Sequence, residues 1–205
     1  MEAKKSIFTV IKTENEKVET ILKNTLVMLG NRIYLDKQKQ RVRLLVPEDA
    51  EKTVEDKGDQ TFMITASNSD VYVLKIVFQK ITTTGKQSVI NEFIEDYPQN
   101  KKILVAKEFN NKIYDYGNRH QTQILREDSL LEDIIVQKDQ PKFEVLTPSE
   151  AQQFKLEYNA NDYTIKKLLK NDPVTKYFAL KKGDVVRIIR PSPTSGSGID
   201  YRIVM

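Results

Sequence analysis

The pattern of apolar positions predicts an N-terminal half that alternates helices with strands. Val18, Ile21, Leu22, Thr25, Leu26 and Leu29 recur at helical spacing, and Gly30 stands where a glycine cap would end the helix. Val42, Leu44 and Val46 alternate as in a strand that Pro47 stops. Phe62–Ala66 and Val71–Phe78 are predicted strands, joined by the turn cluster Ser67-Asn68-Ser69-Asp70. Val89, Ile90, Phe93, Ile94 and Tyr97 share one face of a helix over Ser88–Tyr97, ended by Pro98. Ile103–Ala106 is a short, wholly apolar strand, and Gln123–Leu125 is a further strand candidate. Leu130, Leu131, Ile134 and Ile135 suit a short helix or a final strand. This order predicts an α/β layer domain with a partly parallel sheet.

The pattern changes towards the C-terminus. Phe143, Val145 and Leu146 predict a short strand. Thr147-Pro148-Ser149-Glu150 supplies a threonine cap, a proline at the first helical position and a glutamate at the capping-box position, so a helix is predicted over Pro148–Leu156. Asp172-Pro173 repeats that logic for a helix through Tyr177 and Phe178, and Gly183 permits positive φ after it. Val185, Val186, Ile188 and Ile189 form a strand bounded by Pro191. Pro191–Gly198 is predicted as a loop and Tyr201–Val204 as the return strand. Asp184–Arg190 and that strand would pair as a β-hairpin, burying Ile203-Val204-Met205. The C-terminal part thus reads as a small α+β domain.

Proline and charge place the boundary between the two parts. Of seven prolines, only Pro47 and Pro98 precede residue 140. The net charge is +4, and residues 140–205 hold all of it, with 11 Lys/Arg against 7 Asp/Glu. The 22 basic and 22 acidic residues of 1–139 balance. The chain is therefore divided into 1–139 and 140–205, a size compatible with two domains in 205 residues.

Composition then removes chemistry. Cysteine is absent, which excludes disulfides, thiolate metal sites and cysteine nucleophiles. One histidine, His120, excludes multi-histidine metal sites within the chain. Apolar runs such as Thr25–Gly30 and Val71–Phe78 fall far short of the roughly 20 residues of a membrane helix. No apolar leader follows Met1–Lys5, so a soluble intracellular chain without membrane contact is expected. Gly85-Lys86 lacks the first glycine and the following Ser/Thr of a phosphate loop. Thr194 stands where a nucleophile elbow ending in Gly198 would need its first glycine. Glu55-Asp56-Lys57 matches an acidic-x-lysine nuclease triplet, but it lies in the charged segment Glu48–Asp59, read as a solvated loop. Residues 161–190 carry eight Lys/Arg against three aspartates, which is a nucleic-acid face, a match for an acidic protein, or solvated charge.

Asp172–Met205 carries a specific resemblance. Asp172-Pro173-Val174, Tyr177, Leu180-Lys181, Gly183, Val185-Val186, Ile188-Ile189-Arg190, Ser192, Thr194, Gly196 and Tyr201-Arg202 stand at fixed spacing. The segment closely resembles the C-terminal signature of the fifth shared subunit of eukaryotic RNA polymerases I, II and III. It equally resembles the corresponding archaeal polymerase subunit, which is built from the same piece. Upstream, Pro141–Thr147 is similar to a further family segment, with Phe143 where histidine is usual. Ile165-Lys166-Lys167-Leu168 stands where the family tends to show Leu-Pro-Arg-Ile. Residues 1–139 match the family's jaw domain in length and order of elements, with Val73–Ile76 and Ile103–Val105 at strand positions.

The resemblance implies a non-catalytic polymerase subunit with a mixed-sheet jaw domain over 1–139 and an assembly domain over 140–205. The assembly domain would dock on the largest polymerase subunit, through Asp172, Pro173, Tyr177, Gly183, Arg190, Thr194, Gly196, Tyr201 and Arg202. The jaw would lie near downstream duplex DNA. There the loop Asn110-Asn111-Lys112, with Arg119 and His120 further on, would meet phosphates without reading sequence. Neither catalytic residue, metal nor cofactor is implied. The two-domain length points to a eukaryotic or virus-encoded form, and the divergent jaw to a virus-encoded one. A viral form would act in host cytoplasm and virion, a cellular one in the nucleus. The other readings are a stand-alone metal-dependent nuclease around Glu55 and a basic DNA-binding adaptor.

Overall fold

A complete capping box starts the first helix. The Thr13 hydroxyl accepts from the Glu16 amide and the Glu16 carboxylate accepts from the Thr13 amide. Helix α1 (Glu14–Asn31) buries Ile21, Thr25, Met28 and Leu29, an i, i+4, i+7, i+8 stripe. The computed structural model describes residues 13–35, 41–43, 54–66, 70–132, 135, 140–192, 194 and 196–205. The predicted strand end at Leu44–Pro47, the turn residues Ser67–Ser69 and Ile134 lie outside them. Gly30 does not cap α1. The helix runs past it to Asn31, and the backbone turns extended at Arg32, whose side chain is drawn into the interior.

After the short antiparallel pair β1 (Ile33–Leu35) and β2 (Arg41–Arg43) comes a five-stranded mixed sheet. Its strands β3 (Val54–Gly58), β4 (Thr61–Thr65), β5 (Val71–Ile81), β6 (Lys101–Phe109) and β7 (Thr122–Arg126) lie side by side in sequence order. The β3-β4-β5 pairs are antiparallel and the β5-β6-β7 pairs parallel. Helix α2 (Val89–Asp96) connects β5 to β6, and α3 (Asn111–Arg119) connects β6 to β7. Lys102–Ala106 of β6 are buried in succession, as a strand covered on both faces requires. Ile103 and Val105 face one core with Ile21, Met28 and Leu29 of α1 and Leu130 of α4 (Asp128–Leu131). Leu104 and Ala106 face the other, with Ile90 and Phe93 of α2 and Ile113 of α3.

The second sheet orders β8 (Lys142–Val145), β10 (Val185–Ser192), β11 (Gly196–Val204) and β9 (Lys166–Leu168). Its β8-β10-β11 pairs are antiparallel, and β9 joins β11 in parallel. Helix α5 (Pro148–Glu157) starts at the expected Thr147–Glu150 capping box and packs Phe154 against Ile165, Val185 and Ile203. The opposite face buries Leu168, Val186, Ile188 and Val204. Asp172 caps α6 (Pro173–Tyr177), its Oδ1 accepting from the Val174 amide at 2.9 Å. The chain is thus a mixed α/β structure with two mixed sheets and, among the described residues, six helices.

Four further sequence expectations need correction. Asn110-Asn111-Lys112 are not a loop but the cap and first turn of the helix Asn111–Arg119. Glu55-Asp56-Lys57 lie on edge strand β3, not in a loop; its exposed, charged character is what an edge tolerates. Pro191 does not end β10. It pairs with Ser197, and β8 stops at the partner of Ile189, so the missing proline N–H faces a side with no strand left to serve. The predicted loop Pro191–Gly198 shrinks accordingly to the residues between Ser192 and Gly196. Finally, Ile203 and Val204 are buried, but Met205 is half exposed.

Candidate functional site

Helix α6 is a bracket between the two sheets. Tyr177 enters the same core as Met28 and Leu125, and its hydroxyl accepts from Asn31 Nδ2 at 2.9 Å. Arg32 Nε donates to the Tyr177 carbonyl at 2.8 Å, and its Nη2 donates to Gln123 Oε1 at 2.7 Å. Gln123 Nε2 in turn donates to the Lys176 carbonyl at 2.6 Å. Arg32 is only 7% exposed, and burial lowers its pKa to about 10, against which the nearby Tyr72 and Tyr177 act. A base so shifted costs stability at neutral pH. The hydrogen bonds to otherwise orphaned acceptors offset that cost.

The residues expected to meet a partner fall in three places. Asp172, Pro173 and Tyr177 belong to the bracket, where Pro173 is exposed and Tyr177 is buried. Gly183, at φ +92°, turns the chain into β10, where its amide donates to the Val204 carbonyl at 2.9 Å. Tyr201 and Arg202 lie close by on β11. The Tyr201 ring stacks on Phe154 at 4.0 Å between centroids, with Tyr158 at 6.0 Å. Arg202 Nε stands 3.7 Å from Asp200 Oδ2 and makes no hydrogen bond among the described residues. Desolvation raises the Asp200 carboxyl, but the hydrogen bond from Lys166 and the charge of Arg202 outweigh it and hold it below the ordinary carboxylate range. Arg190, Thr194 and Gly196 are exposed at the far end of β10 and β11. Seven strand steps separate the two ends, about 24 Å.

The residues expected near DNA sit at the two ends of α3. The Asn110 Oδ1 caps it by accepting from the Ile113 amide at 2.9 Å, and Asn111 and Lys112 open its first turn. Arg119 closes the last turn, and the His120 ring lies 4.5 Å from that of Tyr116. All five are exposed, and nine residues of helix separate the groups by about 13 Å.

Sequence reasoning missed Arg32, Lys101 and Lys102, which border a cleft between the first sheet and the segment around α6. Nothing local marks them. Arg32 reaches a carbonyl 145 positions away, and Lys102, buried in β6, donates to the Tyr97 and Asn100 carbonyls at 3.0 and 3.1 Å. The nuclease triplet gains no company. Glu55 pairs with Lys57 on its own strand and faces Met63 across β4. No group of three or more potential metal ligands forms among the described residues.

Comparison with known proteins agrees with the C-terminal signature. Residues 132–204 match the family described as RNA polymerase Rpb5, C-terminal domain. The whole chain is 49% identical, over 205 residues and the full length of both proteins, to a DNA-directed RNA polymerase subunit 5 of Acanthamoeba polyphaga mimivirus. The chain belongs to the RNA polymerase Rpb5 family. Rpb5-family relatives extend beyond viruses. A subunit RPABC1 of RNA polymerases I, II and III from Caenorhabditis briggsae is 25% identical, covering 94% of this chain and 97% of its own. An archaeal subunit Rpo5 of Methanocaldococcus jannaschii is 40% identical over 65 residues, 32% of this chain and 83% of its own. The archaeal match spans about a third of this chain, whereas the viral relative spans all of it.

Proposed function

We propose that this chain is a non-catalytic subunit of a DNA-directed RNA polymerase and is not itself an enzyme. The full-length identity to a viral subunit 5 carries that reading. Residues 140–205 form an assembly domain that docks on the largest subunit. Residues 1–139 form a jaw domain beside downstream duplex DNA. The subunit works wherever its polymerase transcribes: in host cytoplasm and virion for a viral enzyme, in the nucleus for a cellular one.

Surface chemistry supports this division. Of the seven exposed large apolar side chains among the described residues, six lie between Leu156 and Met205. Apolar surface left outside the core is what a partner covers. Tyr158, Tyr163, Leu169 and Ile199, with Arg190, Thr194 and Gly196 at the β10–β11 turn, form the docking surface. Asp172 and Pro173 extend it to the start of α6, and Tyr177 fixes that helix from beneath. On the jaw, the amide-rich N-terminus of α3 with Asn111 and Lys112 meets a phosphate, and Arg119 and His120 a second one.

Co-expression with the largest polymerase subunit of the same source tests the docking. The full chain should co-purify at about one copy per partner. The Leu169→Asp, Ile199→Asp double variant should lose co-purification while its melting temperature stays unchanged. Undiminished co-purification would move the docking surface elsewhere.

A further inference from the structure

Between the first sheet and the segment around α6 lies a cleft of about 760 Å³ whose charge is all of one sign. Its lining includes Arg32, Lys101, Lys102, Lys170, Lys176 and Lys181, and neither an aspartate nor a glutamate. In a chain with 33 basic and 29 acidic residues, that segregation is a property of the fold. Three of the cations come from the first sheet's side and three from the segment around α6. Lys101 is paired with Asp70, outside the lining, and Lys102 is held by carbonyls. Arg32 has only neutral acceptors. Lys170, Lys176 and Lys181 form no ion pair among the described residues, and Lys176 Nζ rests 4.8 Å from the Tyr114 ring centroid. Burial, with the charge of Arg126 behind it, holds Lys176 below the ordinary lysine range despite Asp172. One-signed clefts with low-dielectric walls focus their field on an incoming counter-charge.

We propose that this cleft is a binding site for a phosphate-bearing ligand of nucleotide size, free or at the end of a single strand. The volume falls within the ~300–1,000 Å³ of small-ligand sites, too narrow for a duplex. It admits only a few residues of an acidic peptide, each bringing one carboxylate per roughly 3.4 Å of chain. A phosphoryl group brings up to about two charges and three strong acceptors in one small unit, which suits cations converging from two sides. Every cation in the site belongs to this chain, so the free chain can be tested for binding.

Titration calorimetry on the full free chain at fixed ionic strength tests it. Pyrophosphate, ATP, a six-nucleotide single-stranded RNA with a 5′-triphosphate, and hexaglutamate are compared. One site for a phosphate compound is expected, weakening with salt. The Lys170→Ala, Lys181→Ala double variant, which alters two exposed side chains, should weaken it roughly tenfold or more at unchanged melting temperature. Equal binding of pyrophosphate and ATP assigns recognition to free phosphates. Binding of the RNA alone assigns it to a strand end, and both support the site. Hexaglutamate binding as tightly as ATP, absence of any phosphate binding, or binding unchanged in the double variant overturns it.

Discussion

Arg32 ties α6 to β7 of the first sheet through two side-chain hydrogen bonds. Arg32→Ala would orphan the Tyr177 carbonyl and Gln123 Oε1, and is expected to cost about 2–3 kcal/mol in urea denaturation. Arg32→Lys should recover little, because an ammonium lacks the planar fork that serves both acceptors. Gly117 gives a second test with opposing terms. Alanine would gain about 1 kcal/mol of helix propensity. Its Cβ, however, would lie 2.5 Å from Ile124 Cδ1 and 2.9 Å from the Thr122 carbonyl oxygen. The backbone oxygen cannot swing aside, so Gly117→Ala is expected to destabilise by about 1–3 kcal/mol. Both roles were illegible in the sequence for the same reason. Whether a cation after a helix turns inward, or a helical glycine is crowded, depends on partners that only folding brings near.

Elements with local signals were the legible ones. Capping chemistry acts within four residues, so the starts of α5 and α6 could be read at Thr147 and Asp172. Thr147→Ala should accordingly cost about 1 kcal/mol in thermal or chemical unfolding. Helix α3 escaped because it buries only Ile113 and Gly117, too few for a periodic stripe. β10 was cut short at Pro191 because whether proline breaks a strand depends on which side still needs a donor. The cross-strand pair of Arg187 on β10 with Glu144 on β8 makes a pH prediction. Hydrogen bonds from Lys142 and Arg187 hold the Glu144 carboxyl below its usual 4.5. A depressed carboxylate contributes fully above its unfolded pKa and loses that contribution as pH falls through the folded value. Glu144→Gln should therefore be less stable by about 1 kcal/mol at pH 7. The difference should shrink as pH falls below 4.5. A difference that stays constant with pH would reject the pair as its source.

For the whole molecule, the +4 net charge belongs entirely to residues 140–205, and part of it is gathered into the cleft. With balanced charge, the N-terminal part is expected to bind DNA weakly on its own, in keeping with the proposed role within a larger assembly. The strand alternation legible in the sequence separated two sheets but could not show that α6 ties them together, since that contact joins positions far apart in the chain. Removing Ile203–Met205 strips two fully buried side chains from opposite faces of the second sheet. The truncated chain should be insoluble or fail to co-purify with polymerase. The central claim is tested most directly by isolating the native multisubunit polymerase from the source and quantifying its subunits by mass spectrometry. This chain should be present at about one copy per largest subunit. Its absence from an active polymerase would contradict the account.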